Sequence, residues 1–409
     1  MVIFLIFFIL VGVINYIDYR TYKTIITPTF FLSVPFSAIL LLCLLLNPSL
    51  SFVKVYPPSI LIWIIGLFFF WLPGRVFAYT IGKKDFSSKN PRYTPYNTAP
   101  NKVILWIGVL IIGYFLLKYK SIANTEMVGS KEFGGELMIG GIASRLSNVL
   151  MLFFPYFVCT RLKSKILKYT FVSAIFFLII SYAAKTWMMN IILASFIVGA
   201  FRKQVKVNIK TIILLVFILF ILFFLYYSLL IDSDSLLQFV FRHFYFYITS
   251  GILPMSSYIE SESFFQTDNR YIIMPFVNMY YSLRGLPPMD VHSALWYVTD
   301  LNIGTESNVF SFFGTIYIYT DPVLFVVYSS LFGLFSYGVF TSALKSRSIF
   351  IHIIYAYNLC ILFWGWYNCG YNLLRYWEIF AYGFILYFVN RFYFRLRQDN
   401  KYQTVITNV

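Results

Sequence analysis

The sequence predicts an all-α, polytopic integral membrane protein, with about eleven transmembrane helices and one long loop outside the membrane. Of its 409 residues, 60% are hydrophobic and 12% are charged, against roughly 25% charged residues in soluble domains. A soluble core of this size has no room for so much apolar surface, so the excess must face lipid. Apolar runs near the roughly 20 residues that a membrane helix needs recur along nearly the whole chain.

Each apolar run is a candidate membrane span. Residues 169–201 hold Lys185 within an otherwise continuous run, and one helix of that length would measure about 48 Å, too long for a hydrocarbon core of ~30 Å. Two helices that turn near Lys185 are therefore predicted there. The eleven runs lie at residues 2–17, 28–46, 59–77, 103–117, 139–159, 169–184, 187–201, 211–230, 322–343, 349–367 and 376–390.

The basic residues divide unequally between the two faces of the membrane. The loops that we interpret as cytoplasmic hold 22 of the 32 Lys and Arg residues but only 3 of the 16 acids. Because cytoplasmic loops are enriched in Lys and Arg, the pattern predicts an external N-terminus and a cytoplasmic C-terminus. The basic residues lie in short clusters between apolar runs, so the net charge of +16 indicates membrane topology and no nucleic-acid partner.

One connection is far longer than the others. Loops above about 15 residues are uncommon in compact proteins and are usually functional. Residues 231–321 are too aromatic for a disordered linker, so we expect them to fold as short helices lying on the membrane. The predicted organisation is transmembrane helices 1–8 in residues 1–230, the large external loop in 231–321, and helices 9–11 with a cytoplasmic tail in 322–409.

Several basic residues are predicted at the outer face, against the general charge pattern. Ionisable groups at membrane depth are usually functional, although long basic side chains also reach the interface simply to meet water. Guanidinium groups hold phosphate oxygens bidentately and keep their charge, which suits a pyrophosphate leaving group in a lipid-linked substrate. The candidate pyrophosphate-binding residues are Arg145, Lys185, Arg242, Arg284 and Arg375.

Two external histidines are candidate catalytic residues. His243 and His292 have the side chain best suited to a general base near neutral pH, and the alternative for each is a packing or surface histidine. Asp232-Ser233-Asp234 matches the Asp-x-Asp of metal-dependent glycosyltransferases over three residues only. We interpret it as a solvated helix end, and no metal site is predicted.

The layout resembles that of the Wzy-type O-antigen polymerases, which join oligosaccharide repeat units. This chain and the family share many spans, a moderate outer loop after the fourth span, and a large outer loop before the last three spans. The segment Thr305-Glu306-Ser307-Asn308-Val309-Phe310, followed by Tyr317 and Asp321, is similar to the family's segment leading into the next span. The family also has a Gly-rich entry into a mid-chain span, which resembles the residues from Gly134-Gly135 through Gly140-Gly141 to Arg145. Its small-residue turn resembles Ala184-Lys185-Thr186.

The sequence departs from the family pattern in three places. Lys185 stands where the family usually has Arg, and Asp321 is followed by Pro322-Val323 in place of Phe-Gly. The Arg-x10-Gly pattern of some members is absent.

The resemblance implies a GT-C-like, all-helical glycosyltransferase of lipopolysaccharide biosynthesis, with Asp321 joining His243 and His292 as a catalytic candidate. Such an enzyme transfers the growing glycan from undecaprenyl pyrophosphate onto an incoming lipid-linked repeat unit. It works at the periplasmic face of the bacterial inner membrane, without cofactor, nucleotide sugar or metal. A chain-length regulator and a flippase are further candidate partners.

Two other functions remain open at this point. An O-antigen ligase shares the architecture and differs in its acceptor, the lipid A core. A transporter or flippase of lipid-linked oligosaccharides should place charges in mid-helix around a cavity and keep its loops short.

Overall fold

The structure is a computed structural model, which describes residues 2–81, 101–123, 131–138, 141–162, 164–181, 185–228, 236–261, 268–289, 296–302 and 304–406. Within these residues the chain is helical almost throughout, so the protein is an all-α membrane protein. Eleven long helices in this part of the chain cover the eleven predicted apolar runs. They are α1 (Val2–Tyr22), α2 (Pro28–Leu50), α3 (Ser59–Ile81), α4 (Lys102–Ile122), α6 (Gly141–Cys159), α7 (Lys165–Ser181), α8 (Lys185–Phe201), α9 (Ile209–Ser228), α14 (Pro322–Lys345), α15 (Ile349–Phe363) and α16 (Leu374–Ile406).

Seven of these helices are long and apolar enough to cross a membrane, within the part of the chain that the structure describes: α1, α2, α3, α4, α6, α14, and α15 together with the 3-10 turn Trp364–Trp366 that continues it. A span needs roughly 20 mostly apolar residues at 1.5 Å per residue. Helix α7 has only 17 residues, as does the apolar helix α8. Membrane crossing by the other four long helices, and thus the total of eleven spans, stays a prediction.

The run around Lys185 forms two helices rather than one. Helix α7 ends at Ser181, α8 begins at Lys185, and the two helices contact each other. Residues 182–184 lie outside the described part of the chain.

The described parts of the long connection fold mainly into short helices, and their position on the membrane stays a prediction. It contains α10 (Leu236–Thr249), α11 (Leu253–Glu260), α12 (Met274–Leu283) and α13 (Phe312–Tyr319). A further short helix, α5 (Lys131–Met138), precedes α6.

An antiparallel hairpin, which the sequence did not predict, also lies in the long connection. Strand β1 (Tyr297–Asp300) pairs with β2 (Thr305–Ser307), and Gly304 in the turn has a φ of 65°, a conformation that glycine adopts without strain. Residues after α2 extend the hairpin, because Val53 N–H donates to the Thr299 carbonyl at 3.0 Å. The hairpin is therefore attached to the end of α2.

The chain divides into two compact units, each with its own core. Unit 1 comprises Met1–Lys89, Ser233–Leu344 and Asn358–Tyr376, and unit 2 comprises Asn90–Asp232, Lys345–Tyr357 and Trp377–Val409. The two units are defined by which residues pack together. The three segments 1–230, 231–321 and 322–409 are defined by which side of the membrane each part lies on, and they stay a prediction.

Aromatic rings and close helix contacts build both cores. In unit 1, Phe36 of α2 stacks on Trp63 of α3 with ring centroids 3.4 Å apart. In unit 2, Tyr156 of α6 stacks on Phe350 of α15 at 5.1 Å. Aromatic side chains of this size bury a large apolar area in each core.

Candidate functional site

A buried hydrogen bond in unit 2 joins two apolar helices. Asn148 of α6 has no exposed surface, and its Nδ2 donates to Oε2 of Glu378 on α16 at 2.6 Å. Gly383 lets α16 approach its neighbours, because a Cβ there would lie only 2.6 Å from Cγ1 of Ile354. Close packing of these helices thus places one carboxylate of the last predicted span beside a buried amide.

Two further polar side chains belong to the same cluster. Arg145 precedes Asn148 by three residues and Tyr382 follows Glu378 by four, so each shares a helix face with its partner. Arg145 and Glu378 both interact electrostatically with the Tyr382 hydroxyl, so the three groups belong to one region of unit 2. Arg145 is exposed, while Glu378 and Tyr382 are half-buried. We call Arg145, Asn148, Glu378 and Tyr382 the polar cluster.

The polar cluster combines the groups that acid–base and anion chemistry need. A carboxylate oriented by a buried amide is a suitable general base, and an exposed guanidinium is a suitable phosphate ligand. Oδ1 of Asn148 is buried and has no hydrogen-bond partner among the described residues, so this acceptor is left for another group. Unmet acceptors of this kind are uncommon in folded proteins and need a reason.

Arg242, a predicted pyrophosphate ligand, is held by a carboxylate. Its Nε donates to Oδ2 of Asp300 at 2.7 Å, its Nη2 donates to Oδ1, and Asp300 is 1% exposed. This bidentate pair ties α10 to the hairpin and balances the charge of the arginine. Phosphate binding by Arg242 stays a prediction, and a phosphate there would have to share the guanidinium with Asp300.

The other predicted pyrophosphate ligands lie apart along the chain. Arg284 follows α12, is exposed, and holds its guanidinium 5.5 Å from the ring centre of Tyr280. Arg375 is half-buried in the first turn of α16. Lys185 is the first residue of α8, and its side chain is outside the described part. Of the five predicted ligands, only Arg145 belongs to the polar cluster.

The structure shows contacts outside the polar cluster for two of the predicted catalytic residues, Asp321 and His243. Asp321 caps α14, since its Oδ1 accepts from the backbone N–H groups of Val323 and Leu324 at 2.8 and 2.9 Å. His243 is half-buried on α10 and packs edge-on against Tyr247 with ring centroids 4.8 Å apart. His292 and residues 232–234 lie outside the described residues. The catalytic roles of His243, His292 and Asp321 stay predictions.

A second polar network lies inside unit 1, and sequence reasoning does not find it. The charge pattern predicts Asp18 in a cytoplasmic loop, but α1 continues to Tyr22 and buries Asp18 completely. Its carboxylate accepts from Tyr337 Oη and from Trp71 Nε1 at 3.0 Å, and lies 3.8 Å from Nη2 of Arg75. Its partner Arg75 also lies within a helix, α3. Charged residues near the end of an apolar run therefore stay inside the helix here.

Unit 1 also has an open cleft of about 650 Å³, lined by both polar and apolar residues. It lies where α2, α11 and the hairpin meet, and its lining includes Ser51, Lys54, Glu260 and Asn302. The mixture of one cation, one anion and neutral polar groups suits a neutral, hydroxyl-rich ligand better than a phosphate.

Sequence alone holds weak signals for the polar cluster. Glu378 is the one acid in the apolar run 376–390, and Asn148 lies one helical turn after Arg145. Polar side chains inside membrane runs are expensive, so an isolated acid or amide in such a run is a candidate functional residue. That the two meet cannot be read from the sequence, because 230 residues separate them.

Among the described residues, no group of three or more His, Cys, Asp or Glu side chains is placed to hold a metal ion. No curated protein and no solved structure matches the chain. The model of DUF6337, a family of unknown function, matches residues 51–396, a range that includes the whole polar cluster. Because this match spans most of the sequence, the chain belongs to the DUF6337 family.

Proposed function

We propose that this protein is a polysaccharide polymerase that transfers a growing glycan from undecaprenyl pyrophosphate onto an incoming lipid-linked repeat unit. The observation that carries the proposal is the 2.6 Å hydrogen bond from Asn148 to Glu378 in the polar cluster, one helical turn from the exposed Arg145. The outer-face location predicted from the distribution of charge supports it further. The resemblance in architecture to O-antigen polymerases supplies the substrate class.

Glu378 is the general base in this mechanism. Its carboxylate takes the proton from the acceptor hydroxyl, and the freed oxygen lone pair forms a bond to the anomeric carbon of the donor glycan. Asn148 orients the carboxylate through the 2.6 Å hydrogen bond and so acts as a positioning residue. Glu378 fits the role better than Asp321, whose carboxylate already accepts two backbone hydrogen bonds.

Arg145 stabilises the leaving group. As the bond from the anomeric carbon to the phosphate oxygen breaks, its electron pair stays on undecaprenyl pyrophosphate, where negative charge increases. A guanidinium keeps its proton at every relevant pH and strengthens its hold as that charge grows. Because Arg145 is exposed, its guanidinium is accessible to the headgroup of a lipid-linked donor.

The long connection supports a glycan substrate. The cleft beside α11 offers hydrogen-bonding groups for sugar hydroxyls, including Lys54, Glu260 and Asn302, and apolar side chains such as Phe52 for the faces of sugar rings. Since neither charge in the cleft dominates, we assign it to the glycan and not to the pyrophosphate.

Deletion of the gene in a bacterium that makes the matching surface polysaccharide tests the proposal. Loss of a polymerase should leave lipopolysaccharide with one repeat unit and no ladder. The wild-type gene should restore the ladder, and genes carrying Arg145→Ala or Glu378→Gln should not. Loss of a ligase would instead strand polymer on the carrier lipid, and an unchanged ladder would contradict the proposal.

One observation favours a second candidate, a flippase or other transporter. Asp18, buried in α1, lies 3.8 Å from the half-buried Arg75 of α3, and transporters keep charged pairs of this kind inside membrane helices. Under this alternative the deletion strain would lack single-unit lipopolysaccharide as well, and unflipped repeat units would accumulate at the inner face. Analysis of the carrier lipid separates the two outcomes.

A further inference from the structure

Helix α12, in the long connection, directs large apolar side chains toward the outside. Phe276, Met279, Tyr280 and Leu283 are all exposed, from 44% for Phe276 to 81% for Leu283. Their spacing of three, four and seven residues puts them on one stripe of the helix, about 100° wide. In a soluble segment such a stripe would face the core, so its exposure here suits apolar surroundings.

The rest of the helix is attached to unit 1. Met274 and Pro275 at its start are buried, and Asn278 accepts a 2.7 Å hydrogen bond from the backbone N–H of Met289 in the segment that follows. Arg270, in the turn before the helix, donates to Tyr281 Oη at 2.7 Å. The stripe is thus held outward by contacts on its other sides.

The start of α12 lies close to the end of a membrane-spanning helix. The 3-10 turn Asn269–Tyr271 leads into α12, and the Tyr271 ring stacks on Tyr319 with centroids 4.4 Å apart. Tyr319 ends α13, and Pro322 begins α14, one of the seven described helices able to cross a membrane. A helix anchored there lies near the level at which α14 enters the bilayer.

The charge at the end of α12 suits the same surroundings. Arg284 follows directly after Leu283, is exposed, and lies over the Tyr280 ring. Tyrosine and arginine together are typical of the membrane–water interface, where the ring lies among headgroups and the guanidinium reaches phosphate.

We propose that α12 is an interfacial helix that binds the outer leaflet, with its stripe among the acyl chains and Arg284 at a headgroup phosphate. The occupant is phospholipid and not a second copy of this chain, because the stripe starts beside a predicted span and ends in a cation. Peripheral helices bind lipid surfaces by this combination of apolar and electrostatic contact. The inference does not depend on the proposed polymerase activity.

Paired cysteine variants of the full-length protein test this orientation. Leu283→Cys lies on the stripe, while Ser282→Cys is also exposed to labelling but points about 100° away around the helix. Each variant is labelled with a polarity-sensitive fluorophore and reconstituted in phosphatidylethanolamine–phosphatidylglycerol vesicles. The wild type is labelled in parallel as a control for its four buried cysteines.

We expect the label at position 283 to shift to shorter wavelength and to be quenched by lipids that carry a spin label on the acyl chain. The label at position 282 should be quenched by iodide in water. Equal iodide quenching at both positions would overturn the proposal. Protection of position 283 from iodide and from spin-labelled lipid alike would also overturn it, because protein would then cover the stripe. Met279→Cys, on the same stripe, repeats the measurement independently.

Discussion

Asn148 and Glu378, 230 residues apart in sequence, share a 2.6 Å hydrogen bond between the α6 and α16 helices. The amide is completely buried and the carboxylate is half-buried. A buried polar side chain in a membrane helix costs free energy unless it is paired, so this contact restricts the carboxylate to one orientation. The proposed catalytic role of Glu378 depends on that restriction.

Replacing the proposed base, Glu378, should lower turnover without lowering thermal stability. Glu378→Gln keeps an oxygen that accepts from Asn148, so thermal stability in detergent should stay close to that of the wild type. Turnover should fall about 10²–10⁴-fold, the usual contribution of a general base. Asn148→Ala should also lower activity, and in addition reduce stability because Glu378 loses its buried partner. Normal turnover in Glu378→Gln would rule out this base.

Arg145 should matter for its shape as well as its charge. Because the side chain is exposed, Arg145→Ala should reach the membrane in normal amount while polymer formation is largely lost. Arg145→Lys should restore little, since an ammonium is a point charge and cannot hold two phosphate oxygens as a guanidinium does. Full rescue by lysine would show that bidentate geometry is not needed. Polymer length on gels is the measurement.

Arg242 and Arg270 provide a matched pair of ion-pair variants. Arg242→Ala leaves Asp300 buried without its partner and should destabilise the protein by about 1–3 kcal/mol or more. Arg270→Ala breaks an exposed pair with Asp268, which water screens, and should lower stability much less than Arg242→Ala does. Thermal denaturation of both variants in the same detergent gives the comparison. Equal effects would show that the Arg242–Asp300 pair does not hold the hairpin.

Two glycines test the packing of unit 1. A Cβ at Gly333 of α14 would overlap the carbonyl oxygen of Phe70, so Gly333→Ala should force α3 and α14 apart. Overpacking of this kind costs about 1–3 kcal/mol. Gly12 of α1 has no atom within 4 Å of its Cβ position, so Gly12→Ala should be neutral or stabilising by up to about 1 kcal/mol. Melting temperatures of the two variants in detergent give the comparison, and equal values would contradict the close contact at Gly333.

The predicted topology is checked by labelling engineered cysteines in intact cells. A membrane-impermeant maleimide should reach Arg284→Cys in the long connection and should not reach Lys203→Cys after α8. The physical reason is the accumulation of Lys and Arg in the loops interpreted as cytoplasmic. Labelling of Lys203→Cys alone would place the long connection in the cytoplasm, where the lipid-linked substrates of the proposed reaction are not presented.

Hydrophobic patterning predicts the positions of all eleven long helices, because a run of apolar residues in a membrane protein has few alternatives to a helix. Helix ends are less predictable. The predicted first span stops at residue 17, whereas α1 continues to Tyr22 because Asp18 is paired inside the protein with Tyr337, Trp71 and Arg75. A charged residue usually indicates contact with water, whereas Asp18 makes its contacts inside the protein.

The hairpin and the polar cluster are beyond sequence reasoning for different reasons. Strands β1 and β2 have four and three residues, too few for an alternating pattern to stand out. The polar cluster depends on a contact between α6 and α16, and the sequence pattern within either helix does not show which helix it contacts. Of the predicted site residues Arg145 falls in this cluster, whereas Asn148 and Glu378 become candidates only through the packing of their helices.

In the proposed function, this chain alone joins lipid-linked repeat units. The most direct measurement uses purified protein in vesicles, supplied with the undecaprenyl-pyrophosphate repeat units extracted from the deletion strain. The wild type should form glycan of increasing length and release one undecaprenyl pyrophosphate for each unit joined, while Glu378→Gln in the same vesicles should form almost none. Repeat units that stay single with the wild-type protein, and no release of undecaprenyl pyrophosphate, would contradict the proposed function.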